Sequence, residues 1–335
     1  MIRAGIDAQT QIGAFDSDAR RPRMSLDKPD LSGAATYFLR TEGPRGFLLR
    51  FAATYAALAV ILQAVSLWAQ RPIYEIYVRA FTENGGDITP YMDELSAISM
   101  QSNLGSLLML PVSLGLWIIF EAASQRRYIR AEGFRLAIGA DEGRVAVVGL
   151  IWIALLIAGY LGLFLAAGLP GLIVGLVAGA AAGVVTGGAA LLAGLVAALW
   201  LFARLSPASA LTIHDRQIRF FEAWQLTKGQ GWRLAGSYFL LFAAFTALSL
   251  IVYGVLIFLA IALLAPALDA SAGGDTADAV LALIAQPVFW APLSIAMFLV
   301  LMMQSVFSHA LGGPAALIVR RRTAEGSLTL SETFG

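Results

Sequence analysis

Cysteine is absent from this chain, histidine occurs only twice, and Asp, Glu, Lys and Arg together fill just 13% of its 335 positions. Without cysteine there are no disulfides, no thiolate metal ligands and no cysteine nucleophile, and the redox compartment stays unread. GxxxxGK(S/T), GxSxG and HExxH patterns are missing too, as is any His/Asp/Glu cluster at metal-ligand spacing. No cofactor, metal or catalytic residue is therefore expected. The shortage of charge decides the class, because 59% hydrophobic residues are too many for a soluble domain of this size. The chain reads as an all-α polytopic integral membrane protein. Its formal charge of +1 gives no reason to expect nucleic acid as a partner.

What is present is a series of apolar segments of about 20 residues, the length that crosses a hydrocarbon layer about 30 Å thick. Residues 1–32 are polar and lack a signal-peptide pattern, so a flexible cytoplasmic tail is expected. A membrane domain follows over 33–322, with spans at 47–69, 103–124, 145–167, 182–204, 238–262 and 288–311, and a C-terminal cytoplasmic tail over 323–335. Pro111 interrupts the second span, which lipid tolerates better than water does. Between the first two spans, Tyr74, Tyr77 and Tyr91 suit an interfacial position.

The run from 171 to 205 is about 50 Å long as a single helix, more than the bilayer core needs. Gly171, Gly175, Gly179, Gly183 and Gly187 recur every fourth residue, so a helix here presents a smooth groove for close helix packing. Leu169-Pro170-Gly171 reads as a turn and Gly187-Gly188 as the natural break. The expectation is a short helical or re-entrant lead over 171–181 ahead of the fourth span.

Basic residues orient the six spans. With both termini inside, 21 of the 23 Lys and Arg fall on the cytoplasmic side of a bacterial inner membrane. The exported loops keep Arg71 and Arg79 only, and the last one carries Asp269, Asp275 and Asp278. Aligning the cytoplasmic segments on Gly43, Gly139 and Gly229 also places Phe38, Phe134 and Trp224 five residues earlier and puts Arg50, Arg144 and Arg233 after them. The implied unit is a surface helix, a glycine stop, a basic anchor and a transmembrane hairpin, used three times.

The most specific stretch is Arg204–Leu241. Asp215 is expected to cap a short surface helix that Gly229 ends. Phe220, Phe221 and Trp224 would share its lipid-facing side, with His214, Arg216, Arg219, Lys228, Trp232 and Arg233 as candidate headgroup contacts. Arg204-Leu205-Ser206, followed by Trp224, Leu226, Thr227 and Gly229, resembles bacterial six-span families related to the membrane domain of glycerophosphoryl diester phosphodiesterases. Ala223 stands where those families usually have serine. The resemblance implies a membrane-embedded accessory or stand-alone domain. It carries no catalytic residue across, since phosphodiester hydrolysis belongs to a separate barrel domain that uses histidine, acidic residues and a divalent metal.

Among other polar residues, His214–Asp215 is the one pairing with acid–base potential, and it reads as solvated. Gln304, Ser305 and His309 form a candidate intramembrane polar cluster, read as interhelical hydrogen bonding. Glu121 is expected to pair with Arg126 or Arg127. Asp141 and Glu142 should diverge, because adjacent helical residues do not share a face. Trp68, Trp152, Trp200 and Trp290 read as interfacial belt residues. The favoured function is a non-enzymatic membrane component organising lipids, a membrane-protein partner or further copies of itself. Transport of a lipid or small amphiphile is the alternative, and a lipid-acting enzyme a weaker one.

Overall fold

The computed structural model describes residues 31–270 and 286–334, and all regular structure in them is helical. Most of the expected N-terminal tail, and the acidic segment with Asp275 and Asp278, lie outside the described residues. Helix α1 (Leu31–Ala35) and a 3-10 turn at Tyr37–Arg40 lead into α2 (Phe47–Ala69). Gln70 ends α2 and opens α3 (Arg71–Glu83), where Pro72 occupies the first turn and its missing N–H removes no helical bond. Helix α4 (Met92–Arg130) has Asp93 and Glu94 in its first turn and Arg127 and Arg130 in its last, the signs that suit the helix dipole. Then come α5 (Ala140–Ala178), α6 (Ala180–Leu205), α7 (Ala208–Asp215) and α8 (Glu222–Leu226). The last two are α9 (Gly231–Ala270) and α10 (Pro287–Phe334), and α10 continues through most of the expected C-terminal tail.

Five helical stretches among the described residues are long and apolar enough to cross a membrane: Phe47–Ala69, Ala140–Ala178, Ala180–Asp215, Gly231–Ala262 and Trp290–Ala324. Their outer faces leave Tyr160, Phe164, Leu176, Val177, Leu250 and Phe258 exposed. So continuous an apolar surface belongs in lipid, and the protein is a multi-pass helical membrane protein. The expected second span lies in α4, which is not among the five.

Buried side chains concentrate at one end, where the long helices converge on α7. Phe47, Phe51 and Phe120 pack there, as do Tyr37, Tyr128 and Leu317, and Val148, Phe220 and Ala223. This end also holds most of the described arginines, and it is called the charged end below.

The glycine run folds differently from the expectation. Pro170 lies inside α5, so there is no turn at 169–171 and residues 171–178 continue the third span. The chain breaks at Gly179, with φ 93° and ψ 157°, a conformation open to glycine almost alone. Gly187-Gly188 stays inside α6. The five glycines therefore do not line one groove. They fold upon each other, with Gly171 and Gly175 on α5 against Gly183 and Gly187 on α6. A Cβ at Gly183 would lie 2.6 Å from the Gly171 carbonyl oxygen and 2.6 Å from Gly175 Cα, so both backbones touch where side chains would stand.

Candidate functional site

Arginine organises the charged end. At the C-terminus of α6, Arg204 is buried, and its Nε–H donates to Thr227 Oγ1 at 2.9 Å while Nη2 donates to the Trp224 carbonyl at 2.7 Å. Its Cζ sits 4.1 Å from the Trp224 ring centroid and 5.4 Å from that of Trp200, and the two rings meet edge to face at 5.4 Å, so the guanidinium lies over Trp224 beside an aromatic corner. Gly231 makes this possible, since a Cβ there would press on Arg204 Cδ at 2.7 Å. Arg127 repeats the scheme more loosely: its Nε–H donates to Thr41 Oγ1 at 3.3 Å, with Cζ 5.0 Å from the Phe47 ring centroid. Thr41 and Thr227 each stand two residues before the aligned glycine; Ala137, without a hydroxyl, holds the middle position.

A second set of arginines ties α4 to α5 and α7. Arg126 pairs with Glu142, both deeply buried, and Arg130 Nη1 reaches Asp141 at 2.7 Å while its Nη2 donates to the Ile213 carbonyl at 2.6 Å. Arg144 closes on Asp141 at 2.9 Å, and Glu132 lies 3.6 Å from Arg126. Asp141 and Glu142 do diverge to different arginines, but within one network that the sequence did not reveal.

Glu121 is the main correction. No ion pair among the described residues includes it. Instead it accepts from Gln125 Nε2 at 2.9 Å and is hydrogen-bonded by Ser209 of α7. The helical period explains this: Arg126, five residues on, lies on another face, whereas Gln125, four on, is the stacked neighbour.

Glu121 borders a cavity of about 370 Å³ enclosed by α4, α5, α6, the start of α7, α9 and α10. Its polar residues are Glu121, Gln125, Ser206, Ser209, Tyr238 and Ser308. Its apolar wall comes from Leu114, Trp117, Trp152, Leu156, Phe202 and Leu311. Leu114 lies about 16 Å along α4 from Gln125, so along α4 the lining runs from polar near the charged end to apolar deeper in the span, with Ser308 of α10 a polar group at the deeper side. Ile153 and Leu156 keep exposed surface, leaving the apolar part unsealed. Trp117 can cover α5 because Gly149 has no side chain; a Cβ there would meet its ring at 2.6 Å.

The residues expected to form a surface helix are arranged otherwise. Helix α7 ends at Asp215, and Arg216 takes the left-handed conformation (φ 56°), so Asp215 closes one helix rather than capping the next. Pro207 immediately ahead of Ala208 starts α7 early, and this shifts the register. Phe220, in the loop, is buried, Phe221 points outward, and Trp224 on five-residue α8 covers Arg204, so the three do not share a face. Arg219 is held by Asp215 at 3.5 Å and Glu222 at 3.3 Å. Arg216, Phe221, Lys228, Trp232 and Arg233 are exposed and form the outer rim of the charged end. Residues 132–139 contain no helix, so the surface helix expected near Phe134 is absent.

His214 is the last-turn residue of α7, not a residue ahead of a cap. Its Nδ1 lies 2.7 Å from Asp215 Oδ1 and its Nε2 3.2 Å from Thr323 Oγ1. The Thr323 hydroxyl also reaches the Val319 carbonyl at 3.0 Å, so the imidazole and that carbonyl share it. His309 is buried between helices, with Nδ1 2.7 Å from Ser124 Oγ and its ring stacked on Tyr128 at 4.5 Å. Gln304 is exposed and Ser305 donates to the Met302 carbonyl, so the expected Gln304–Ser305–His309 cluster is not assembled. Trp152 and Trp200 pack inside the charged end, while Trp68 and Trp290 stay exposed as expected. Among the described residues no group of three or more His, Asp or Glu is placed to hold a metal ion.

No protein-family model matches the chain, and neither a curated protein nor a solved structure does.

Proposed function

We propose that this protein is a non-enzymatic component of a bacterial inner membrane that holds a lipid or lipid-like amphiphile in the Glu121 cavity. The observation that carries the reading is the polarity gradient of that cavity, with hydrogen-bonding groups at the charged end and apolar walls deeper in the spans. A headgroup placed beside Glu121 and a chain directed along Leu114 and Leu156 would match both parts. The exposed rim of Arg216, Phe221, Lys228, Trp232 and Arg233 suits the headgroup layer around it.

The accompanying topology is six spans with α4 as the second and both termini cytoplasmic, which keeps the arginine-rich end inside. The facing α5 and α6 glycines act as an intramolecular glycine zipper. The likeness to the membrane domain of glycerophosphoryl diester phosphodiesterases fits an accessory role, since Arg204, Trp224 and Thr227 are joined in one structural knot.

Native mass spectrometry of the detergent-purified protein tests the lipid reading. A co-purifying lipid that disappears in Gly149→Leu, which fills the cavity beneath Trp117, supports it; absence of any retained lipid overturns it. Movement of the lipid instead of retention is a second reading, favoured by the placement of Glu121 between helices with no cation paired to it, because carboxyls of this kind recur on transport routes. A vesicle flux assay separates the two.

A further inference from the structure

We propose that the cavity selects a headgroup that donates hydrogen bonds and carries no phosphate, namely a hydroxyl-bearing or primary-amine amphiphile. This rests on the lipid-binding reading above and adds the chemistry of the ligand.

Gln125 is 1% exposed, and its Nε2 is committed to Glu121, which leaves Oε1 as a buried acceptor without a partner. Gly312 opposite keeps the amide in place, because a Cβ there would come within 2.8 Å of Nε2. The Ser206 hydroxyl donates to the Ala203 carbonyl at 3.0 Å and that of Ser209 bonds Glu121, so both protons are spent inside the protein and the oxygen lone pairs remain. The lining thus offers a carboxyl, an amide oxygen and the Ser206 and Ser209 oxygens as acceptors, while the Tyr238 phenol, which has no partner among the described residues, and the Ser308 hydroxyl can donate as well as accept, so acceptors are in surplus. A buried acceptor left unpaired is unfavourable, so the fitting ligand is one that brings N–H or O–H groups.

The same lining argues against phosphate. None of the residues around the cavity is Lys, Arg or His. The nearby arginines of α4 do not line the cavity: Arg126 turns its Nη1 to Glu142, with Nη2 buried and unpartnered among the described residues, and Arg127 bonds Thr41. A phosphate beside Glu121 would meet a carboxyl with no compensating cation at low dielectric.

The test uses the 335-residue chain in detergent and three probes with 18-carbon monounsaturated chains, two acyl chains in dioleoylglycerol and dioleoyl phosphatidic acid and one alkyl chain in oleylamine. Retention is measured by native mass spectrometry. Dioleoylglycerol or oleylamine should bind at least about tenfold more tightly than phosphatidic acid, and the stronger of the two says whether hydroxyl or ammonium is the natural donor. Gln125→Leu should reduce that preference to about twofold or less, with Glu121→Gln as the shape-preserving second variant should the first not fold. Phosphatidic acid binding as tightly as the donors, and lost in Gly149→Leu, would overturn donor selection while leaving the lipid-binding reading intact. Retention of all three probes unaffected by Gly149→Leu, or of none by the unaltered protein, would remove both.

Discussion

Adding one methyl group at each hairpin glycine should produce a graded series that the backbone geometry dictates. At Gly183 the new Cβ would stand 2.6 Å from Gly171 O, 2.6 Å from Gly175 Cα and 2.9 Å from Gly175 N. All three are backbone atoms of a helix and cannot rotate aside, so α5 and α6 must separate. Overpacking of this kind costs about 1–3 kcal/mol, and loss of the close backbone contacts on both arms puts Gly183→Ala toward the upper end. Gly171→Ala follows, with Gly183 O and Gly187 Cα both at 3.1 Å. Gly175→Ala meets Gly183 Cα at an ordinary 3.6 Å and should be mild. Gly188→Ala faces open space and should be neutral or stabilising by a few tenths of a kcal/mol, since alanine has the higher helix propensity. Gly179→Ala acts differently, through φ 93°, and costs about 1–3 kcal/mol in backbone strain. The assay is thermal unfolding in detergent followed by circular dichroism, with all five variants at one detergent concentration. A Gly183→Ala protein that melts with Gly188→Ala and the unaltered chain would refute the hairpin packing.

Four further outcomes are expected. Arg204→Lys keeps the charge but loses the fork shared by Thr227 and Trp224 and the cation–π contact with Trp224, so it should destabilise by about 2 kcal/mol and shift tryptophan emission; unchanged melting and emission would contradict the knot. Glu142→Ala leaves Arg126 buried and unpaired and should cost about 3–5 kcal/mol, while the double variant Arg126→Met/Glu142→Leu should recover most of it, as thermal unfolding of the three proteins would reveal. Because the chain has no cysteine, Asn84→Cys and Glu222→Cys can be labelled with an impermeant maleimide on the natural background. Intact cells should label the first alone, and the reverse result would invert the topology. Burial raises the Tyr37 phenol above its ordinary value of 10.0, with the nearby Arg320 opposing only in part. The folded state therefore holds this proton more tightly than the unfolded chain, and the contribution is complete below pH 10 and lost as pH rises beyond it. Tyr37→Phe should flatten that alkaline decline in melting temperature.

Several features were legible because they depend on short-range rules. Five lipid-crossing helices follow from runs of apolar residues long enough to hide their own backbone. The divergence of Asp141 and Glu142 follows from a 100° step between neighbours. Even the hairpin had a readable signal, since Gly171 and Gly187, and Gly175 and Gly183, are symmetric about Gly179. A period of four on one helix and a palindrome across a turn look alike until the break is located, and the Gly187-Gly188 pair drew attention away from the true centre. The register of the connector differs for a local reason, since α7 starts at Ala208, behind Pro207, and Asp215 is its last residue instead of the cap of a following helix.

The site itself was not legible, because its members are far apart in sequence. Glu121, Ser209, Tyr238 and Ser308 come from four different helices. Sequence alone determined that this chain must live in lipid, roughly where its long apolar helices fall, and which residues carry charge, since hydropathy and helix periodicity act within a few turns. Tertiary structure alone decided that Glu121 meets Ser209 in a cavity, that Arg204 lies over Trp224, and that the glycines meet one another. Those outcomes depend on which helix faces pack together, and packing is settled by shape complementarity over the whole bundle.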